Sequence, residues 1–135
     1  MPEITITVPG DPRGQPRPRF SRCGGFVKVY NPDAKLDARI KAIIAEQVDF
    51  EPITTAVEIE MVFYMPIVKS TTKRNRALML EGKIKHVKRP DGDNIFKKYA
   101  DGCNATVYKD DSQIWKMTAE KRYSEEPRVV IELKY

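Results

Sequence analysis

Ile4, Ile6 and Val8 alternate with Thr5 and Thr7, the two-residue period of a strand with one buried face. Pro9 to Gly14 ends it. The period returns where Val57, Ile59, Met61, Phe63 and Met65 interleave with Glu58, Glu60, Val62 and Tyr64, predicting a second, stronger strand. Trp115, Met117 and Ala119 alternate with Lys116, Thr118 and Glu120, and a final strand runs from Val129 to Leu133 after a turn at Ser124–Pro127. Lying so close in sequence, these last two strands are expected to pair as a hairpin. Glu58 and Glu60, set opposite Thr5 and Thr7, give the sheet one polar face, turned to solvent or to an interface.

Helical spacing fills the gaps. After Asn31-Pro32, a helix starting near Asp33 puts Leu36, Ile40, Ile43, Ile44 and Gln47 on one stripe, away from Lys35, Asp37, Lys41 and Glu46. Ser70-Thr71-Thr72 offers caps for a short basic helix through Leu78 and Leu80 that stops at Gly82. A third helix, from about Asp93 to Asn104, gathers Ile95, Phe96, Tyr99, Ala100 and Cys103 on one arc and turns Lys97, Lys98 and Asp101 outward. Between Gln15 and Tyr30, Pro16 and Pro18 keep the chain extended, and Cys23-Gly-Gly makes a hairpin turn or a loop. The pattern predicts an α+β fold in one domain spanning residues 1–135: a mixed or antiparallel sheet with two or three helices on one face.

The net charge of +5 favours acidic partners, and its distribution sharpens that. Arg13 to Lys28 holds five basic residues and no acidic one; Lys69 to Arg89 holds eight against Glu81 alone. Such acid-poor runs point to phosphate contacts. With His86 the one histidine, no zinc site of the usual spacing can be drawn, and Cys23 and Cys103 suggest a reduced, intracellular setting. The first residues lack the charged and apolar regions of a secretory signal, and no apolar run reaches membrane-spanning length. A cytoplasmic protein is expected, with no membrane contact and no organic cofactor.

Asp91-Gly92-Asp93-Asn94 and Asp110-Asp111 crowd four carboxylates into two short stretches. Asp91 and Asp93 suit helix capping, and Asp110-Asp111 suits a turn before a strand. Carboxylates brought together are costly to keep ionised without a cation, however, and a chain return after the third helix would set Asp111 beside Asp91 and Asp93. Oxygen-only ligands favour Mg²⁺ or Mn²⁺. An EF-hand is excluded, because position 6 counted from Asp91 is Phe96 and position 12 is Gly102. Lys97, one helical turn after Asp93, suits either an ion pair with it or a contact to a scissile phosphate.

Pro90-Asp-Gly-Asp-Asn-Ile-Phe-Lys, Tyr108-Lys-Asp-Asp-Ser-Gln-Ile and Glu120-Lys-Arg-Tyr resemble the RusA-type Holliday junction resolvases over roughly residues 57–134. The Pro-Arg-Pro-Arg segment near residue 17 is similar to the basic N-terminal loop of the branch found in phages and Gram-positive bacteria. The resemblance implies a RusA-like fold, a homodimer, and metal-dependent cutting of four-way DNA junctions in recombination and repair. By the same resemblance Asp91, Asp93 and Asp111 are metal-binding catalytic residues, Lys97 is the essential lysine and Asp110 a secondary ligand. Gly92 departs from the aliphatic residue common at that position, which loosens the loop and removes no ligand. Arg13, Arg17, Arg19, Arg22, Lys73, Arg74, Arg76, Lys88 and Arg89 are the expected contacts to DNA phosphates. Two other readings stand beside this one: a metal nuclease for other branched DNA, and a non-catalytic nucleic-acid-binding protein whose aspartates only cap and turn.

Overall fold

The computed structural model describes residues 2–16 and 19–135. In chain order the elements are β1 (Glu3–Pro9), β2 (Arg19–Cys23), β3 (Phe26–Tyr30), α1 (Ala34–Glu46), β4 (Val57–Met65), α2 (Lys73–Leu80), α3 (Gly92–Cys103), a 3₁₀ turn (Asp111–Gln113), β5 (Ile114–Tyr123) and β6 (Arg128–Lys134). β1, β6, β4 and β5 form one mixed sheet in that order, and β2 pairs with β3 in a separate ribbon. The fold is α+β, as the alternation and helical spacing imply.

The expected hairpin of the last two strands does not form. β4 lies between them, with Met61 facing Ile131 of antiparallel β6 on one side and Ala119 of parallel β5 on the other. Burial decides this. Val129, Ile131 and Leu133 are fully buried and need a central place, whereas β5 is exposed over most of its length and tolerates the edge. β6 also separates β1 from β4, so Thr5 and Glu60 each face Glu132 rather than one another across the polar face.

The other face carries the core. Ile6, Val8, Ile59, Met61, Phe63, Val129, Ile131 and Leu133 lie under α1 and α3, which add Ile40, Ile44, Ile95, Tyr99 and Cys103. The two helices meet closely at Gly102, where a Cβ would come within 3.1 Å of Ile44 Cδ1 and 3.2 Å of Ile40 Cγ2. Lys98 departs from the outward position expected for it. Its side chain is 1% exposed, with Nζ 2.8 Å from Asp37 Oδ1 and 3.1 Å from Asp33 Oδ2. Asp33 and Asp37 at the start of α1 supply the opposite charge that makes such burial tolerable.

α2 is capped as its sequence suggests, Asn75 N–H donating to Thr72 Oγ1 at 3.2 Å, and buries none of its residues. The β2–β3 ribbon leaves Phe20, Phe26, Val27, Val29 and Tyr30 exposed.

Candidate active site at the start of helix α3

Asp91 occupies the N-cap position of α3 with extended backbone, yet its carboxylate makes no capping bond. Asp93, in the first turn, accepts only the neighbouring Asn94 N–H at 2.9 Å. Both are exposed, and among the described residues neither pairs with a cation. Capping therefore does not account for Asp91.

Two contacts hold this turn in place. Lys121 of β5 donates from Nζ to the carbonyl oxygens of Lys88 at 2.9 Å and Pro90 at 3.2 Å. From the other side the N-terminal segment closes in: a Cβ on Gly14 would lie 3.0 Å from Pro90 Cβ. Arg13 N–H donates to the Tyr99 hydroxyl at 3.4 Å, and burial raises that phenol's pKa. Between them lies an open cleft of about 400 Å³ lined by Gly14, Gln15, Arg89, Pro90, Asp91 and Asn94. A guanidinium and an unpaired carboxylate thus share one groove. Nearby, His86 rests against Tyr123, ring centres 5.2 Å apart, and burial followed by the charge of Lys121 lowers its pKa. Both effects favour the uncharged imidazole.

The second acidic pair divides its labour. Asp110 caps the 3₁₀ turn, accepting Ser112 N–H at 3.1 Å while its own N–H donates to Gln113 Oε1 at 2.9 Å. Hydrogen bonds from Ser112 hold its carboxyl below the ordinary range. Asp111 is half-buried and lies close enough to Tyr108 to raise that phenol further, burial being the main cause. The Tyr108 hydroxyl in turn donates to Ala100 O in the C-terminal half of α3 at 2.7 Å. Asp111 therefore stands on the side of the C-terminal half of α3, whereas Asp91 and Asp93 stand at its start. Among the described residues no three His, Cys, Asp or Glu side chains of the chain gather as a metal cage. Lys97 points along the helix toward Asp101, at 3.7 Å, rather than back to Asp93.

The family model for endodeoxyribonuclease RusA matches residues 9–134. This chain belongs to the RusA family. It is also 36% identical over 132 residues to the uncharacterized protein YqaN of Bacillus subtilis (strain 168), covering 95% of this chain and 93% of that protein. RusA membership makes it a Holliday junction endonuclease by family, and no helix among the described residues is long and apolar enough to cross a membrane.

Several of the basic residues expected to meet DNA on this RusA chain are available to do so. Arg13, Arg22, Lys73, Arg74, Lys88 and Arg89 are exposed, while half-buried Arg76 lies 3.7 Å from Glu125. Arg17 lies outside the described residues, and Arg19 is described only as backbone in β2. Neither Lys121 nor Gly14 stands out in the sequence as a site residue. A signal for Lys121 existed: it sits opposite Phe63, on the core side of the alternation, where a lysine needs a reason.

Proposed function

We propose that this RusA-family protein resolves four-way DNA junctions by paired, symmetric phosphodiester cleavage, as a homodimer that depends on Mg²⁺ or Mn²⁺. The observation that carries this reading is the cleft at the start of α3, which Asp91 lines together with Arg89 while pairing with no cation among the described residues. Exposed carboxylates free of protein cations suit a hard divalent ion, so the donors fit the metal in chemistry. Asp91, Asp93 and Asp111 would hold it, with Asp110 as a secondary ligand through the oxygen not engaged by Ser112. Such an ion, when bound, polarises the scissile phosphodiester and lowers the pKa of the attacking water.

The chain's own part is to place the DNA. Arg89 and Lys88 bind backbone phosphates at the cleft mouth, and Arg13 and the basic ribbon extend that contact. Lys97 is 63% exposed and its 3.7 Å pair with Asp101 is a weak surface interaction. Its ammonium exchanges Asp101 for a phosphate at little cost and stabilises charge developing there.

A labelled four-way junction and a matched linear duplex, each with Mg²⁺, Mn²⁺ or EDTA, test the proposal. Paired nicks confined to the junction and abolished by EDTA are expected. Asp93→Asn should bind the junction as well as the parent while cleavage collapses. Junction binding without cleavage under every metal condition would sink the reading.

A further inference from the structure

The register of the β2–β3 ribbon sets Phe20 opposite Val29, Ser21 opposite Lys28 and Arg22 opposite Val27. Residues paired across an antiparallel ladder share a face, and neighbours along a strand take opposite faces. One face therefore presents Phe20, Val27 and Val29 around Arg22, and the other presents Phe26 and Tyr30 around Lys28. These five apolar side chains are between 41% and 70% exposed, and none joins the core.

Apolar groups displayed this densely mark a binding surface. A ribbon that lay against one partner would need one apolar face, and this one has two, each with a cation at its centre. It is shaped to enter between two flat apolar partners. Its tip is thin: Gly24 and Gly25 make the turn with φ of +55° and +92°, and a Cβ on either would meet nothing within 4 Å. Its base is fixed. Asn31, next after β3, donates from Nδ2 to Asp37 Oδ2 of α1 at 2.8 Å, and its Oδ1 accepts Asp33 N–H at 2.9 Å. On the β2 side, Gln15 lines the cleft that holds Asp91.

We propose that the ribbon is a wedge that enters the centre of the four-way junction, Phe26 on one face and Phe20 on the other stacking on the bases that end adjoining arms. The inference rests on the nuclease reading for its substrate, and adds the means by which a junction is told from a duplex. Base faces are flat and apolar, and the phosphates beside them are anionic. Arg22 and Lys28, one on each face, meet those phosphates, and no acidic residue between Arg13 and Lys28 opposes the approach. A second copy of the ribbon is a poorer occupant, because it would set like charges together and cover one face only. A five-residue strand is roughly 17 Å long, enough to pass the phosphate backbone and reach the base stack. In a linear duplex the stack is closed throughout, and the wedge must break a step to enter.

The test uses the full chain and a junction carrying 2-aminopurine at the crossover, whose fluorescence rises when the base unstacks. In EDTA, where no strand is cut, the parent should raise the signal on the junction and leave a linear duplex with the same base unchanged. Phe20→Thr/Phe26→Thr keeps good strand formers and both cations, so it should melt as the parent does and bind with the same salt slope, yet lose most of the rise. In Mg²⁺ its cleavage of a fully paired junction should fall about tenfold. Unpaired bases at the crossover should restore that cleavage, because the opening is then already made. No rise with the parent, a full rise with the variant, or a cleavage loss that unpaired bases do not repair would each overturn the wedge. Sedimentation reads the other occupant: a variant that loses a dimer the parent forms assigns the apolar faces to a second copy and overturns the proposal too. A parent that unstacks the crossover in EDTA yet cuts nothing in Mg²⁺ or Mn²⁺ defeats the nuclease reading and leaves the wedge standing.

Discussion

Gly14 packs against Pro90 so closely that a single added carbon would sit 3.0 Å from the proline Cβ. The basic N-terminal segment is thereby seated directly on the turn that carries Asp91. Gly14→Ala must push that turn or the segment aside, and neither belongs to the core. Cleavage of a four-way junction should fall about tenfold, equivalent to roughly 1.4 kcal/mol in the barrier. The melting temperature should stay within a few degrees of the parent. Single-turnover cleavage beside a thermal melt checks both halves; an unchanged rate would show that the seat is not needed.

Lys98 is a test of buried charge. Its ammonium sits between Asp33 and Asp37, whose side chains keep about a third of their surface in water. Removing both carboxylates as Asp33→Asn/Asp37→Asn strands a positive charge indoors and should cost on the order of 3 kcal/mol in urea unfolding. Lys98→Met should cost much less, because the aspartates it leaves can hydrate. Equal losses for the two variants would contradict this asymmetry.

Alkali should loosen the fold before it touches the site. Burial pushes the Cys103 thiol up to about 12, and the Tyr108 phenol is raised as well, again mainly by burial. The folded chain keeps protons that the unfolded chain releases. The stability they contribute is complete below the ordinary thiol and phenol ranges and is lost as pH rises toward the folded values. Urea midpoints should be level near neutrality and decline above about pH 9. Cys103→Ala should lower the midpoint overall while flattening that decline; an identical slope would remove the thiol from the account.

The β2–β3 ribbon predicts a salt effect. Arg22 and Lys28 stand exposed on it and no acidic residue interrupts the segment from Arg13 to Lys28. If both meet phosphates, Arg22→Ala/Lys28→Ala should lower the slope of log K against log salt for junction binding by roughly 1.8. Folding should be unaffected, since none of the ribbon's described side chains joins the core. Binding isotherms at several salt concentrations give the slope directly, and a slope equal to the parent's would take the ribbon off the DNA.

Much of this architecture is legible in the order of the residues alone. Alternation marks β1 and β4 because one face of each is buried, and the stripe through Ile40 and Ile44 marks α1 for the same reason. Strand pairing is not legible in that way. Proximity along the chain argues for joining β5 to β6, but the buried row Val129, Ile131 and Leu133 claims the centre of the sheet. Lys98 misleads because the charges that accept it come from a helix some 65 residues earlier. At the site, the Asp-Gly-Asp-Asn motif locates Asp91 and Asp93 correctly at a helix start. The distance to Asp111 depends on which way α3 crosses the sheet, and spacing along a chain carries no such direction.

The placement of β6 between β1 and β4 ties the seating of the site to the closing of the sheet. During synthesis β1, β4 and β5 all emerge before the strand that joins the first of them to the others. Until residues 128–134 arrive, the first strand has no neighbour in the sheet and the helices lack half of their floor. β4 and β5 can already pair, but the helix that starts at Asp91 has only part of the sheet to pack on. The turn that carries Asp91 is thus seated by a strand almost forty residues further along the chain.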